Sequence, residues 1–260
     1  MKKSYIIGAV ILLVVIGVSF VVYEYEYSPK AKYQKGLSYY KDKNYQKALP
    51  LFEEAAKQGD APAEEKLGYM YLNGWGIPQD SNKAVYWFKK SAEQGDAEGE
   101  TYLGLMYQAG LGVPQDYSKA LYWLKKAAEQ GYAKGEGLLG YMYLNGWGVP
   151  QDYNKAVYWF KKSAHQGNAI GEAGLGGMYM LGKGGLSKDY QKALYWTKKA
   201  AKQGNAAGEN NLGYMYANGL GVPQDYSKAL YWFKKAAEQG YAPAKANLEY
   251  LELAHLFGGY

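Results

Sequence analysis

The sequence predicts an all-α fold, a solenoid of stacked helix pairs preceded by one transmembrane helix, and three observations predict it. Tryptophan recurs at Trp87, Trp123, Trp159, Trp196 and Trp232, at intervals of 36, 36, 37 and 36 residues, a period that belongs to helix-pair repeats. Within each period, two runs carry apolar residues at helical spacing and are separated by a loop containing Gly and Pro. An uncharged apolar run, Tyr5 to Tyr23, follows Lys2-Lys3 at the N-terminus.

The N-terminal run comes first. About 19 residues at ~1.5 Å rise give roughly 28 Å, close to the hydrocarbon thickness of a bilayer. Residues 1–4 read as a cytoplasmic tail and residues 5–23 as a signal anchor. The basic pair holds the N-terminus inside and sends the rest of the chain across. The localisation expected is therefore the inner membrane, single-pass, with the repeats on the periplasmic side. A cleaved signal peptide is the alternative, because Gly17-Val18-Ser19 offers small residues at suitable spacing, although Phe20-Val21-Val22 prolongs the apolar run. Residues 24–30 read as a linker.

The repeats follow. Residues 31–60 form a short first copy that looks like a plain tetratricopeptide unit. Five full copies over 61–241 begin at Ala61, Ala97, Ala133, Ala169 and Ala206. Residues 242–260 read as a C-terminal capping helix. In the first full copy, Ala63, Leu67, Met70 and Tyr71 share one side of a helix over Ala61 to about Asn73, and Gly74 stops it. The loop from Trp75 to Gln79 leads to Asp80, a good N-cap, and a second helix carries Ala84, Trp87, Phe88 and Ala92 on one side before Gly95. Neither helix covers its apolar stripe alone, so neighbours must supply the core.

The recurring phrases, such as Leu103-Gly104-Leu105-Met106-Tyr107, Gly110-Leu111-Gly112-Val113-Pro114, Asp116-Tyr117-Ser118-Lys119-Ala120 and Ala127-Ala128-Glu129-Gln130-Gly131, resemble the Sel-one-like repeat family over roughly residues 31–250. That family is a relative of the tetratricopeptide repeats. The resemblance implies a right-handed superhelical α/α solenoid, and a non-catalytic scaffold or adaptor in the bacterial envelope that binds a protein or peptide in its concave groove. It also implies a sharper alternative, an immunity protein that neutralises a secreted toxic effector such as a phospholipase. Another alternative is a module binding a polysaccharide or lipid surface through its Tyr and Lys residues.

Comparing the copies separates scaffold from candidate surface. Along the first helix, repeat positions three, four, seven, eight, ten and eleven barely change, whereas two, five, nine, twelve and thirteen vary and centre on the other side. Mapped onto the groove of tetratricopeptide proteins, the variable set gives Glu65, Tyr69, Leu72 and Asn73, then Thr101, Leu105, Gln108 and Ala109. The third and fourth copies give Gly137, Tyr141, Leu144 and Asn145, then Ala173, Gly177, Met180 and Leu181. The fifth gives Asn210, Tyr214, Ala217 and Asn218. A surface rich in Tyr and Asn suits a peptide or a protein loop.

Composition narrows the chemistry. The chain has no Cys, so disulfides, thiolate metal sites and a cysteine nucleophile are excluded. Its 2 His, His165 and His255, belong to no catalytic constellation, and neither a cofactor nor a metal site is expected. All 30 basic residues are Lys, and a net charge of +6 without Arg argues against nucleic acid. Glu64, Glu100, Glu136, Glu172 and Glu209 form a ladder of five equivalent carboxylates. Their equivalence speaks for a structural role near helix starts rather than for acid–base catalysis. The pairs Lys89-Lys90, Lys125-Lys126, Lys161-Lys162, Lys198-Lys199 and Lys234-Lys235 read as a solvated outer stripe. Gly171-Glu172-Ala173-Gly174-Leu175-Gly176-Gly177 follows no strand and is no phosphate loop. Its glycines and the long loop after it predict that the fourth full repeat is the weak link.

Overall fold

A computed structural model describes residues 28–256. The expected cytoplasmic tail, residues 1–4, and the expected span, residues 5–23, lie outside the described residues. Among those described, thirteen helices and no strand are present, and no helix is long and apolar enough to cross a membrane. The chain divides into two compact units, Met1–Gln115 and Asp116–Tyr260. The first unit holds α1 (Pro29–Lys41), α2 (Tyr45–Lys57), α3 (Ala61–Asn73), α4 (Ser81–Glu93) and α5 (Ala97–Ala109). The second holds α6 (Tyr117–Glu129), α7 (Ala133–Asn145), α8 (Tyr153–His165), α9 (Ala169–Leu181), α10 (Tyr190–Lys202), α11 (Ala206–Asn218), α12 (Tyr226–Glu238) and α13 (Ala242–Leu256). One expected boundary moves. The linker over 24–30 stops short of its predicted end, because Ser28 Oγ accepts the Ala31 N–H at 3.2 Å and Pro29 pre-sets the first helical turn.

The loop after each first helix explains the Gly-x-Gly phrase. In α7 the chain leaves the helix through Gly146 at φ 70°, whose N–H bonds the Met142 carbonyl. Two residues on, Gly148 at φ 68° passes so close to the preceding second helix that a Cβ would strike the Tyr117 carbonyl oxygen. Asp152 then caps α8, its Oδ1 accepting the Asn154 and Lys155 N–H groups at 3.0 Å each.

The core is built of a ring on a bare backbone. Phe88, Phe160 and Phe233 of the second helices are buried. Each lies against a glycine of the first helix of its own repeat, Gly68, Gly140 and Gly213, where a Cβ would come within 2.6–2.7 Å of the ring. The half-buried tryptophans join one repeat to the next. Trp87 packs on the cluster of Ala48 and Phe52, Trp196 on that of Ala156 and Phe160, and Trp232 on that of Ala193 and Leu194.

The same logic gives the glycines of the expected weak link a packing reason. In α9, a Cβ at Gly171 would strike Ser163, one at Gly174 would meet the Phe160 ring at 2.5 Å, and one at Gly176 would meet Thr197 Oγ1 at 2.5 Å. Three of the four glycines therefore admit close neighbours rather than loosen the helix. Gly177 is the exception, with only Asn211 Nδ2 at 3.7 Å. Thermal or denaturant unfolding should separate the two kinds. Gly177→Ala should stabilise by about 0.5–1 kcal/mol through helix propensity. Gly140→Ala, which meets the ring of a buried Phe, should destabilise by about 1–3 kcal/mol.

Candidate partner-binding face

The variable positions of the first helices do not share one environment. Position five is buried in every full copy, so Glu65, Thr101 and Asn210 are not on a solvent-facing surface as expected. The reason is that successive first helices pack against each other inside each unit. Thr101 Oγ donates to its own Ala97 carbonyl at 2.8 Å. Asn210 Oδ1 accepts from Asn247 of α13 at 2.9 Å. Gly137 leaves room for Ile170 and Ser163. Positions nine and twelve are half-buried at Tyr69, Leu105, Tyr141, Leu72, Gln108, Leu144 and Met180, whereas Tyr214 at position nine and Leu181 at position thirteen are exposed at 44% and 56%. At position thirteen, Asn73, Asn145 and Asn218 are exposed, but their amides are already engaged. Each donates to the carbonyl four residues earlier, at 2.8–2.9 Å, and closes the end of its helix.

Among the described residues, one cleft in the first unit and two in the second sort the predicted residues. In the first unit, Tyr40, Glu65, Lys66, Tyr69, Glu98 and Tyr102 enclose about 210 Å³. In the second unit, a cleft of about 150 Å³ lies between α7, α9 and α11, lined by Tyr141, Leu144, Gly174, Gly177, Leu181, Asn211 and Tyr241. A third, about 200 Å³, is bounded by Tyr214, Asn218, Phe233, Asn247, Tyr250 and Leu251. Leu72, Asn73, Thr101, Leu105, Gln108, Asn145, Met180 and Asn210 line none of these three. Missing from the sequence reading were Tyr40, Lys66, Glu98 and Tyr102 in the first unit and, in the second, chiefly Asn211, Tyr241, Asn247 and Tyr250. Asn211 stands at position six, which varies as Lys66, Tyr102, Leu138, Gly174 and Asn211 and could have been found by the same comparison of copies. The same comparison reaches the other three of the second unit, because in the incomplete copy from Ala242 Asn247 stands at position six and Tyr250 at position nine, and Tyr241 takes the place of Asp60, Asp96, Tyr132, Asn168 and Asn205.

The middle cleft has a specific cause. Position nine holds Tyr69, Leu105, Tyr141 and Tyr214 in the other copies, and Gly177 leaves that volume empty in the fourth. Its walls are mostly apolar, with the phenols of Tyr141 and Tyr241 and the Asn211 amide as polar groups, and Asn211 Nδ2 donates to the Ala173 carbonyl at 3.3 Å. Tyr141 stacks edge-on against Phe160, centroids 5.0 Å apart, and burial raises its hydroxyl pKa.

The first-unit cleft is ionic. Lys66 Nζ lies 2.6 Å from Glu65 Oε2 and 3.4 Å from Glu98 Oε2. Burial pushes the Glu65 carboxyl up to about 7 despite the Lys66 charge, while Glu65 and Glu98 hold the Lys66 ammonium protonated above its ordinary range. Tyr69 bridges two aromatic groups here, meeting Trp75 at 5.3 Å and Tyr102 at 5.1 Å.

The carboxylate ladder stands in the first turns of its helices, as expected, and there makes contacts that the sequence does not display. Glu136, Glu172 and Glu209 are buried, and each ties its helix to the second helix of the same repeat. Their Oε1 atoms meet Lys162, Lys199 and Lys235 at 3.2, 2.8 and 3.2 Å. Their Oε2 atoms accept from Gln166, Gln203 and Gln239 at 2.7–2.8 Å. The second lysine of each of these pairs is therefore a clamp rather than a solvated charge, and its ammonium also lies about 5 Å from a Trp ring centroid, as for Lys162 over Trp159 at 4.9 Å. Among the described residues no cluster of His, Asp or Glu is arranged to hold a metal ion.

A helix-pair solenoid with an open, aromatic first-helix face is the architecture of a repeat module that binds other proteins. The Sel1 repeat model matches residues 23–60, 61–96, 97–132, 133–168, 169–205 and 206–241, and the chain belongs to that family. The match includes the short first copy, so six Sel1 repeats replace the expected tetratricopeptide-like unit followed by five. A Sel1 repeat protein from Oxalobacter formigenes is 33% identical over 84% of this chain and 86% of its own, with a TM-score of 0.68. The c5321 protein, a protective antigen present in uropathogenic Escherichia coli strains, is 36% identical with a TM-score of 0.64, over 92% of this chain and 52% of its own. This chain thus spans about half the length of that protein. The immunity protein Pa5087 from Pseudomonas aeruginosa shares the fold at 20% identity and a TM-score of 0.54, over 83% of each chain. No curated protein matches the sequence.

Proposed function

We propose that the chain is a non-catalytic interaction scaffold of the bacterial envelope that captures a protein partner along its first-helix face. The cleft at Gly177 carries the reading. A mostly apolar notch that one repeat opens and the others fill, flanked by exposed Leu181 and by Tyr141 and Tyr241, suits an aromatic or aliphatic side chain offered by a partner. Replacing Tyr141 and Tyr214 by Ala should weaken capture of a bound partner at least tenfold, since anchors of this kind commonly contribute ~2 kcal/mol or more. Lys89→Ala, on the second-helix face, should leave capture unchanged. The opposite pattern would place the working surface on the second helices.

The finer reading is that residues 5–23 anchor the chain in the inner membrane with the repeats outside the cytoplasm. The support is the length of the apolar run and the Lys2-Lys3 pair before it. A reporter fused after Tyr260 should be active only outside the cytoplasm, and the mature mass should retain residues 1–23. Cytoplasmic activity of a membrane-bound fusion would reverse the orientation. A second reading, immunity against a toxic effector, draws on the names of two fold-related Pseudomonas aeruginosa proteins, Pa5087 and PA5088. It requires that co-expression of this chain protect cells from the effector it binds, and that Tyr141→Ala with Tyr214→Ala remove the protection.

A further inference from the structure

The second-helix face is not uniform along the chain. Where the earlier repeats carry an acidic partner one turn after the first lysine, Lys89 with Glu93 and Lys125 with Glu129 at 3.7 Å each, the third and fourth carry His165 and Lys202 instead. Lys161, Lys198 and Lys202 are exposed, and no carboxylate among the described residues pairs with them. The two helix ends lie side by side. The His165 ring stands 6.1 Å from Trp196, and Gln203 Nε2 reaches the Gly167 carbonyl at 3.0 Å. Between the lysines, Tyr158 and Tyr195 are 55% and 58% exposed. Each is held edge-on against its neighbouring Trp with centroids 4.9–5.0 Å apart, under the ammonium of Lys162 or Lys199.

We propose that the last turns of α8 and α10 dock on the anionic headgroups of a phospholipid bilayer, with Lys161, Lys198 and Lys202 supplying the charge and Tyr158 and Tyr195 the interfacial rings. Charge complementarity selects an anionic occupant. The mixture of fixed phenol rings and flexible ammonium groups is that of a membrane–water interface. A fluid headgroup layer needs point charges rather than a fixed bidentate geometry, and a chain with no Arg offers only the former.

The test uses the full chain held in phosphatidylcholine nanodiscs, mixed at low salt with sedimentable vesicles of phosphatidylcholine with or without phosphatidylglycerol. The chain should sediment with the phosphatidylglycerol vesicles alone. Lys161→Gln, Lys198→Gln and Lys202→Gln together should weaken that association by about a hundredfold, at roughly fivefold per lysine. The same change at Lys89 and Lys125, where Glu93 and Glu129 already neutralise the charge, should leave it within about threefold. All five lysines are exposed, and circular dichroism checks that the variants fold. Equal sedimentation with neutral vesicles, an undiminished triple variant, or equal losses in the two variants would overturn the proposal. So would capture of soluble polyphosphate without capture of vesicles, which would assign the patch to a free polyanion.

Discussion

Replacing Lys199 by Ala should destabilise the second unit by about 2–4 kcal/mol, whereas replacing its neighbour Lys198 should cost within about 0.5 kcal/mol. The two residues are adjacent and chemically identical, and their difference lies in what they reach. Lys199 Nζ stands 2.8 Å from Glu172 Oε1, and the Glu172 side chain has no exposed surface. Glu172 holds the Lys199 ammonium protonated above its ordinary range through a hydrogen bond and its charge. Removing the ammonium strands a buried carboxylate with Gln203 as its remaining tie to α10. Removing one partner of a fully buried pair costs ~3–5 kcal/mol. The cost is lower here because the Lys199 side chain is 41% exposed and water screens part of the interaction. Truncation also removes the packing of the ammonium over Tyr195 and Trp196, the latter at 4.9 Å. Denaturant midpoints for Lys198→Ala, Lys199→Ala and the double variant Lys199→Ala with Glu172→Gln decide the matter. The double variant should regain part of the loss, because the stranded charge is gone. Equal midpoints for the two single variants would mean that the pair contributes nothing and that the lysines are interchangeable, as their sequence suggests.

That suggestion marks the limit of what the sequence displays. The repeat, its helix pairs and the loop glycines are legible because each rests on local chemistry: a 3.6-residue period, a left-handed residue at a helix end, an Asp before a helix. The order Trp87 to Trp232 even fixes the number of full copies. Lateral contacts are not local. Position five varies as Glu65, Thr101, Gly137, Ala173 and Asn210, and free variation reads as exposure. These side chains are nonetheless buried between successive first helices, where each finds a different solution: an ion pair, a bond to its own backbone, or no side chain at all. Likewise the glycines of α9 read as weakness by helix propensity, whereas Gly174 and Gly176 are bare because Phe160 and Thr197 lie against them. Helix propensity is a single-helix property, and the neighbour that overrides it belongs to another helix, 14 residues away for Phe160 and Gly174 and 21 for Thr197 and Gly176.

Raising the pH from 4.5 to 8 should destabilise the first unit by roughly 3 kcal/mol, and Glu65→Gln should remove most of that dependence. The direction is the reverse of the usual carboxylate. A salt-bridged, exposed Asp or Glu has a depressed pKa when folded and adds stability that is lost as pH falls. Asp116, Asp152, Asp189 and Asp225 of the second unit are of that kind, held down by backbone N–H groups and by a Lys three residues on. Their contribution fades only in strong acid. Glu65 is buried, and burial outweighs the attraction of Lys66, so its folded pKa is pushed up to about 7 from an unfolded value near ~4.4. Between those two values the folded chain holds a proton that the unfolded chain has released. Stability therefore falls as pH rises through that window and is flat on either side of it. Glu64, also raised by burial, adds in the same direction. Lys66 does not compensate. Its own pKa is raised, so it stays protonated in the folded and the unfolded chain across the window and adds no dependence of its own there. Hydrogen exchange of α3 amides, corrected for intrinsic rates, reads the first unit separately from the second. The wild-type chain should show openings that become easier between pH 5 and 7.5, and Glu65→Gln a nearly level profile. A wild-type profile that is level over that range would mean that Lys66 keeps Glu65 ionised throughout, and that the ion pair, rather than the cost of burial, governs the cleft.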